Sequence, residues 1–180
     1  MRKQLPLLLT VALVAFSLTG CDMASVSSTG HDATISANAS SDNLLQSVKA
    51  ATSRYNSTTQ AIRAGYAPDD HCVYDADGDL GGMGYHWVNG ALIDPVFEPL
   101  RPEALLYEPG RGNNPRIVGV EYIVIDVGQP HPHFGDQPFD VGGVPPLMEA
   151  GVDHYSLHVW VHKDNPSGMF APFNPNVNCN

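Results

Sequence analysis

The chain has 180 residues, with 9 Lys+Arg against 19 Asp+Glu and a formal net charge of -10 at pH 7. A surface this acidic repels phosphate, which argues against nucleic acid as a partner and against binding to anionic headgroups by charge. With 43% hydrophobic residues there is enough apolar material for a real core, and the length suits one domain.

The first twenty residues read as a targeting segment. Arg2 and Lys3 form a positive start, and the apolar run over 7–16 is too short to span a bilayer. It leads into Leu18-Thr19-Gly20-Cys21. This stretch resembles the lipobox of bacterial lipoprotein signal peptides. The resemblance implies cleavage before Cys21, acylation of Cys21 (palmitate among the chains) and a stable anchor in a lipid bilayer. Several acyl chains are needed for that, because one alone binds only marginally. It places the protein in the cell envelope, facing the periplasm. Asp22, directly after the acylated cysteine, resembles an inner-membrane retention signal.

Residues 21–40 are rich in Ser, Thr, Ala and Asn with few large apolar side chains. They are expected to form a flexible tether, leaving 41–180 as the globular domain. Ser41 or Asp42 makes an N-cap, and Leu44, Leu45, Val48, Ala51, Tyr55 and Ile62 recur at helical spacing up to Gly65. The spacing predicts one amphipathic helix of about six turns lying across a sheet. Once Cys21 is acylated, Cys72 and Cys179 remain as an even pair in an oxidising compartment. They are expected to form a disulfide; thiolate ligation of a soft metal is the rival reading.

Asp75-Ala76-Asp77-Gly78-Asp79 starts like a calcium loop, but Leu80 and His86 stand where that pattern needs Gly and Glu. It reads as a polar turn. Gly81 to Gly84 then deliver the chain into a strand carrying His86, with Tyr85 and Trp87 on the opposite face. Residues 103–108 form another strand, and 116–126 form the clearest one. Glu121 stands alone in that apolar run. A buried carboxylate must be paired or coordinated, so Glu121 either meets Arg101 or Arg116 or serves a ligand. His131-Pro132-His133 is a chelate-like His-x-His step in extended chain, or equally an exposed loop. The cupin metal motif begins the same way, but its second half is missing here.

His154-Tyr155-Ser156-Leu157-His158-Val159-Trp160-Val161-His162 fits two periodicities. A helix would line up the three histidines on one face. Tyr, Val and Trp favour a pleated surface, so a strand is predicted, with Ser156, His158, Trp160 and His162 on one side. Residues four apart on a strand are about 13 Å apart, so His158 and His162 cannot share an ion with bonds of about 2 Å. Any partners of His158 must come from other strands.

Five stretches, 82–89, 102–109, 118–124, 157–160 and 165–179, resemble a family of secreted bacterial proteins with no assigned activity. The resemblance implies only that these stretches form one unit. There is no G-x-S-x-G elbow, no phosphate-cradling Gly loop with Lys, and no C-x-x-C-H haem attachment. The expected fold is α+β, with the N-terminal helix on a largely antiparallel sheet of four to six strands. His86, Glu121 and His158, one from each of three strands, are the candidate ligands for zinc, copper or iron. Tyr85, Trp87 and Trp160 are the candidate lining of a small-ligand pocket. The alternative is a non-metal binding module or a structural envelope protein.

Overall fold

The computed structural model describes residues 30–179. The cleavage site, Cys21 and the first part of the expected tether lie outside the described residues. Helix α1 (Gly30–Thr52) is followed by a 3-10 turn (Ser53–Asn56) and a short α2 (Thr58–Arg63). Strands β1 (Cys72–Tyr74), β2 (Gly82–Val88), β3 (Ala104–Glu108) and β4 (Arg116–Ile125) come next. The two-residue strands β5 (His133–Phe134), β6 (Gln137–Pro138) and β7 (Asp140–Val141) precede α3 (Pro145–Glu149) and β8 (His154–Val159). Among the described residues no helix is long and apolar enough to cross a membrane.

One six-stranded sheet, in the order β1-β2-β3-β4-β8-β7, organises the molecule, and every pairing in it is antiparallel. Consecutive strands β1 to β4 pair as neighbours, as short connections favour. β8 returns after a long excursion to pair with β4, the longest strand, and this puts Glu121 directly opposite His158.

Both sheet faces are covered. Trp87, Leu105, Tyr107, Val120, Tyr122, Leu157 and Val159 pack with Val48, Tyr55, Ala61, Tyr66, Phe134 and Phe139. The opposite face carries a smaller cluster of Leu106, Val118, Trp160 and Val177. Full burial of a Val, Leu or Phe side chain is worth about 1.5–3 kcal/mol, so the first cluster dominates stability. The sheet is curled. Four neighbouring strands lying flat would put β2 about 14 Å from β8, yet side chains of these two strands touch on the second face. Ala104 and Gly119, small residues of β3 and β4, lie between them.

Two features depart from the sequence-based expectation. The single helix to Gly65 is broken at Thr52. Thr52 Oγ1 donates to the Val48 carbonyl, Ser53 Oγ donates to the Lys49 carbonyl and Asn56 Nδ2 donates to the Ser53 carbonyl. Such local bonds compete with a helical ladder. The Tyr55 carbonyl is taken by the buried Tyr107 hydroxyl instead. At the other end, α1 begins at Gly30 rather than at residue 41. Ala33, Ala37 and Ala39 are good helix formers, and extending an existing helix adds one hydrogen bond per residue fixed.

Cys72 and Cys179 form a disulfide with a sequence separation of 107. It ties β1 to the C-terminal tail. That tail is stitched to β2 by reciprocal Gly82–Asn174 backbone bonds.

Candidate metal centre

β2, β4 and β8 each contribute one side chain to a polar cluster on the second face of the sheet. His86 Nε2 lies 3.3 Å from His158 Nε2 and 3.7 Å from Glu121 Oε2. One ligand atom from each of the three residues falls within 4.8 Å of the others, the arrangement of a metal-binding group. Among the described residues it is the single such group of three. Two donors on a tetrahedral ion with bonds of 2.0–2.1 Å stand about 3.3–3.4 Å apart. The His86–His158 separation matches that edge, and the carboxylate sits slightly farther out.

The site is nearly dry. Glu121 and His158 are buried, and the His86 side chain is 17% exposed, so access is from the β2 side. Burial pushes the His158 imidazole down to about 3, helped by the neighbouring His86. Burial likewise pushes His86 down to about 4, against the opposing pull of a hydrogen bond to the Gly84 backbone. Burial pushes Glu121 up to about 8, and the nearby Glu103 carboxylate adds to the shift. At neutral pH the cluster therefore has two neutral imidazoles, ready as ligands, and a carboxyl that a dication can deprotonate.

The rival explanation of Glu121 was an arginine partner. Arg101 pairs with Glu98, and Arg116 pairs with Glu108, with its Nε donating to Oε1 at 3.0 Å. Lys163 holds the other oxygen of Glu108. Neither arginine is bonded to Glu121, whose nearest ionisable partner is the His86 imidazole.

Four other histidines are used elsewhere. His154 donates through Nδ1 to the Val152 carbonyl and accepts the Val144 N–H at Nε2, so both ring nitrogens serve the fold. His162 Nε2 donates to Thr52 Oγ1 at 2.8 Å and joins the sheet end to α1. His131 Nε2 donates to the Phe139 carbonyl and His133 Nδ1 to the His131 carbonyl, so the His-x-His step is a bonded, exposed hairpin. The Asp75 carboxylate accepts the N–H groups of Asp77, Asp79 and Leu80, which makes the calcium-like stretch a turn.

Tyr85, Trp87 and Trp160 do not share one pocket. Tyr85 and Trp87 line an open cleft of about 550 Å³ with Pro68, Asp69, Asp70 and Pro109. Trp160 lies on the opposite face of the sheet, beside His158. Trp87 lies in β2 and Trp160 directly follows β8, and the two indoles belong to different clusters.

Sequence reasoning missed two buried carboxylates. Glu103 Oε2 accepts the Ile123 N–H at 2.9 Å, and burial raises this group to about 8. Glu108 stands opposite Arg116 in the β3–β4 register, and that cross-strand charge pair was the available signal. No family model, curated protein or solved structure matches this chain.

Proposed function

We propose that this protein is a membrane-tethered lipoprotein whose sheet holds one divalent transition metal through His86, Glu121 and His158. The observation that carries the reading is the convergence of two imidazoles and one acid from three separate strands, with both candidate arginines bonded elsewhere. A set of two nitrogens and one oxygen suits zinc, copper or iron and leaves a coordination position open. The lipobox at Leu18 to Cys21 supports anchoring in the bacterial envelope with the domain facing the periplasm, and Asp22 favours the inner membrane. The likeness of residues 82–89 and 165–179 to secreted bacterial proteins supports the same compartment. Val48, buried against the first face, supports α1 as the helix that lies across the sheet.

Thermal unfolding of metal-free protein, titrated with zinc, copper(II) or iron(II), tests this reading. A ligand that binds only the native state stabilises it by about 2.7 kcal/mol at one hundred times its Kd. One of the three metals raises Tm in the wild type and leaves His86→Ala and His158→Ala unchanged. A Tm that no metal moves in the wild type overturns the reading. The cleft beside Tyr85 and Trp87 supports a second reading, a module that binds a small organic ligand there. It predicts that Tyr85→Ala abolishes ligand binding, whereas His158→Ala does not.

A further inference from the structure

The metal reading accounts for three side chains but leaves open what holds His158 in place. His158 has two aromatic neighbours. The His86 ring meets it edge-on, with centroids 5.6 Å apart and an interplanar angle of 85°. The Trp160 indole is stacked with it at 6.1 Å and 21°, inside the range of favourable aromatic pairs. Trp160 itself has no freedom. It is 1% exposed, and its Nε1 donates to the Ala171 carbonyl at 2.6 Å. Its backbone N–H donates to the Met169 carbonyl. Beneath the indole lies Gly119, where an added Cβ would stand 3.3 Å from Trp160 Cε3 and 2.9 Å from the Val159 carbonyl. The ring therefore fills a slot shaped by a glycine and latched by the C-terminal tail.

We propose that Trp160 is the positioning residue of the metal centre, locking the His158 ring in the orientation that carries Nε2 to His86 and Glu121. The inference rests on the metal reading. A ligand imidazole free to rotate costs affinity, because the ion must then order it, and a packed indole has already done so. The same wall closes the His158 side of the site and leaves the His86 side as the route for an ion or a further ligand.

Cobalt(II) serves as the probe, since its visible absorption reports both affinity and coordination geometry. Trp160→Leu removes the ring, and Trp160→Phe keeps a ring but loses the bond to Ala171. Val48→Ala lies in the core on the other face and serves as a stability control. Trp160→Leu is expected to bind cobalt about 10–100-fold more weakly, with an altered spectrum, in line with other outer-shell changes at metal sites. Trp160→Phe recovers most of the loss, and Val48→Ala lowers Tm with wild-type affinity and spectrum. Wild-type affinity and spectrum in Trp160→Leu would overturn the proposal, as would equal losses in Val48→Ala. A wild type that takes up no cobalt, zinc, copper or iron overturns the metal reading instead.

A second measurement does not depend on Trp160→Leu folding. The chain has two tryptophans, so Trp87→Phe leaves Trp160 as the sole indole. One equivalent of copper(II) is expected to quench most of its fluorescence. Unquenched emission from protein shown to hold copper would place the ion away from His158 and overturn the proposal.

Discussion

Glu121 and its two histidines titrate in opposite senses, and this gives the metal-free protein a pH signature. His86, His158 and His162 are lowered from 6.5 to about 4, 3 and 4, so unfolding takes up protons below pH 6.5 and their contribution to stability is lost in acid. Glu103 and Glu121 are both raised from 4.5 to about 8, so the native state keeps protons that the unfolded chain releases. Their contribution is full below pH 4.5 and is lost as pH rises to 8. Between 4.5 and 6.5 the three histidines outweigh the two carboxyls and stability rises; above 6.5 only the carboxyls act and it falls. Urea melts of metal-free protein across pH should therefore show maximal stability near 6.5. Metal uptake must displace the Glu121 proton, so affinity climbs with pH up to about 8 and binding at pH 7 releases a proton into unbuffered solution. Glu121→Gln should abolish that release and most of the binding.

The breaks between elements come from side chains that bond to backbone, and here the sequence was only partly legible. The apolar run over 116–126 marks β4 because that strand is buried on both faces. Residue type and turn signals found β2, β3 and β8, and with β4 these include the strands that carry the three candidate ligands. The break at Thr52 was not legible, because the apolar spacing continues to Ile62 while the local bonds there are joined by others from Tyr107 and His162, far along the chain. Tyr107→Phe tests that account. It strips a buried partner from the Tyr55 carbonyl and should cost about 1–3 kcal/mol in urea unfolding, with the fold retained. An unchanged midpoint would mean that the Tyr55 carbonyl finds another donor. The convergence of His86 with His158 could be posed from sequence but not decided, since it depends on the curl of the sheet. That curl depends on small residues such as Ala104, opposite Glu121, and Gly119, opposite Leu106, and those placements need the register.

For the whole molecule, the Cys72–Cys179 disulfide closes most of the described domain into one loop. In the chain-entropy picture a loop of this size stabilises by up to about 4–5 kcal/mol, and removal of native disulfides typically costs about 2–5 kcal/mol. Replacing both cysteines by serine should lower stability by that amount. It should also loosen the tail that bears Ala171, and thereby Trp160, so metal affinity falls alongside. The proposed acyl anchor on Cys21 lies outside the described residues. Cys21→Ser should release the protein from membranes into the soluble fraction, with the Tm of the domain unchanged.

The most direct test of the account is the metal content of protein purified without chelators, read by elemental analysis beside the His158→Ala variant. About one zinc, copper or iron per wild-type chain and none in the variant is the result expected of a site that needs three ligands at once. Wild-type protein that stays metal-free after equilibration with all three metals, or a variant that retains a full equivalent, would contradict it.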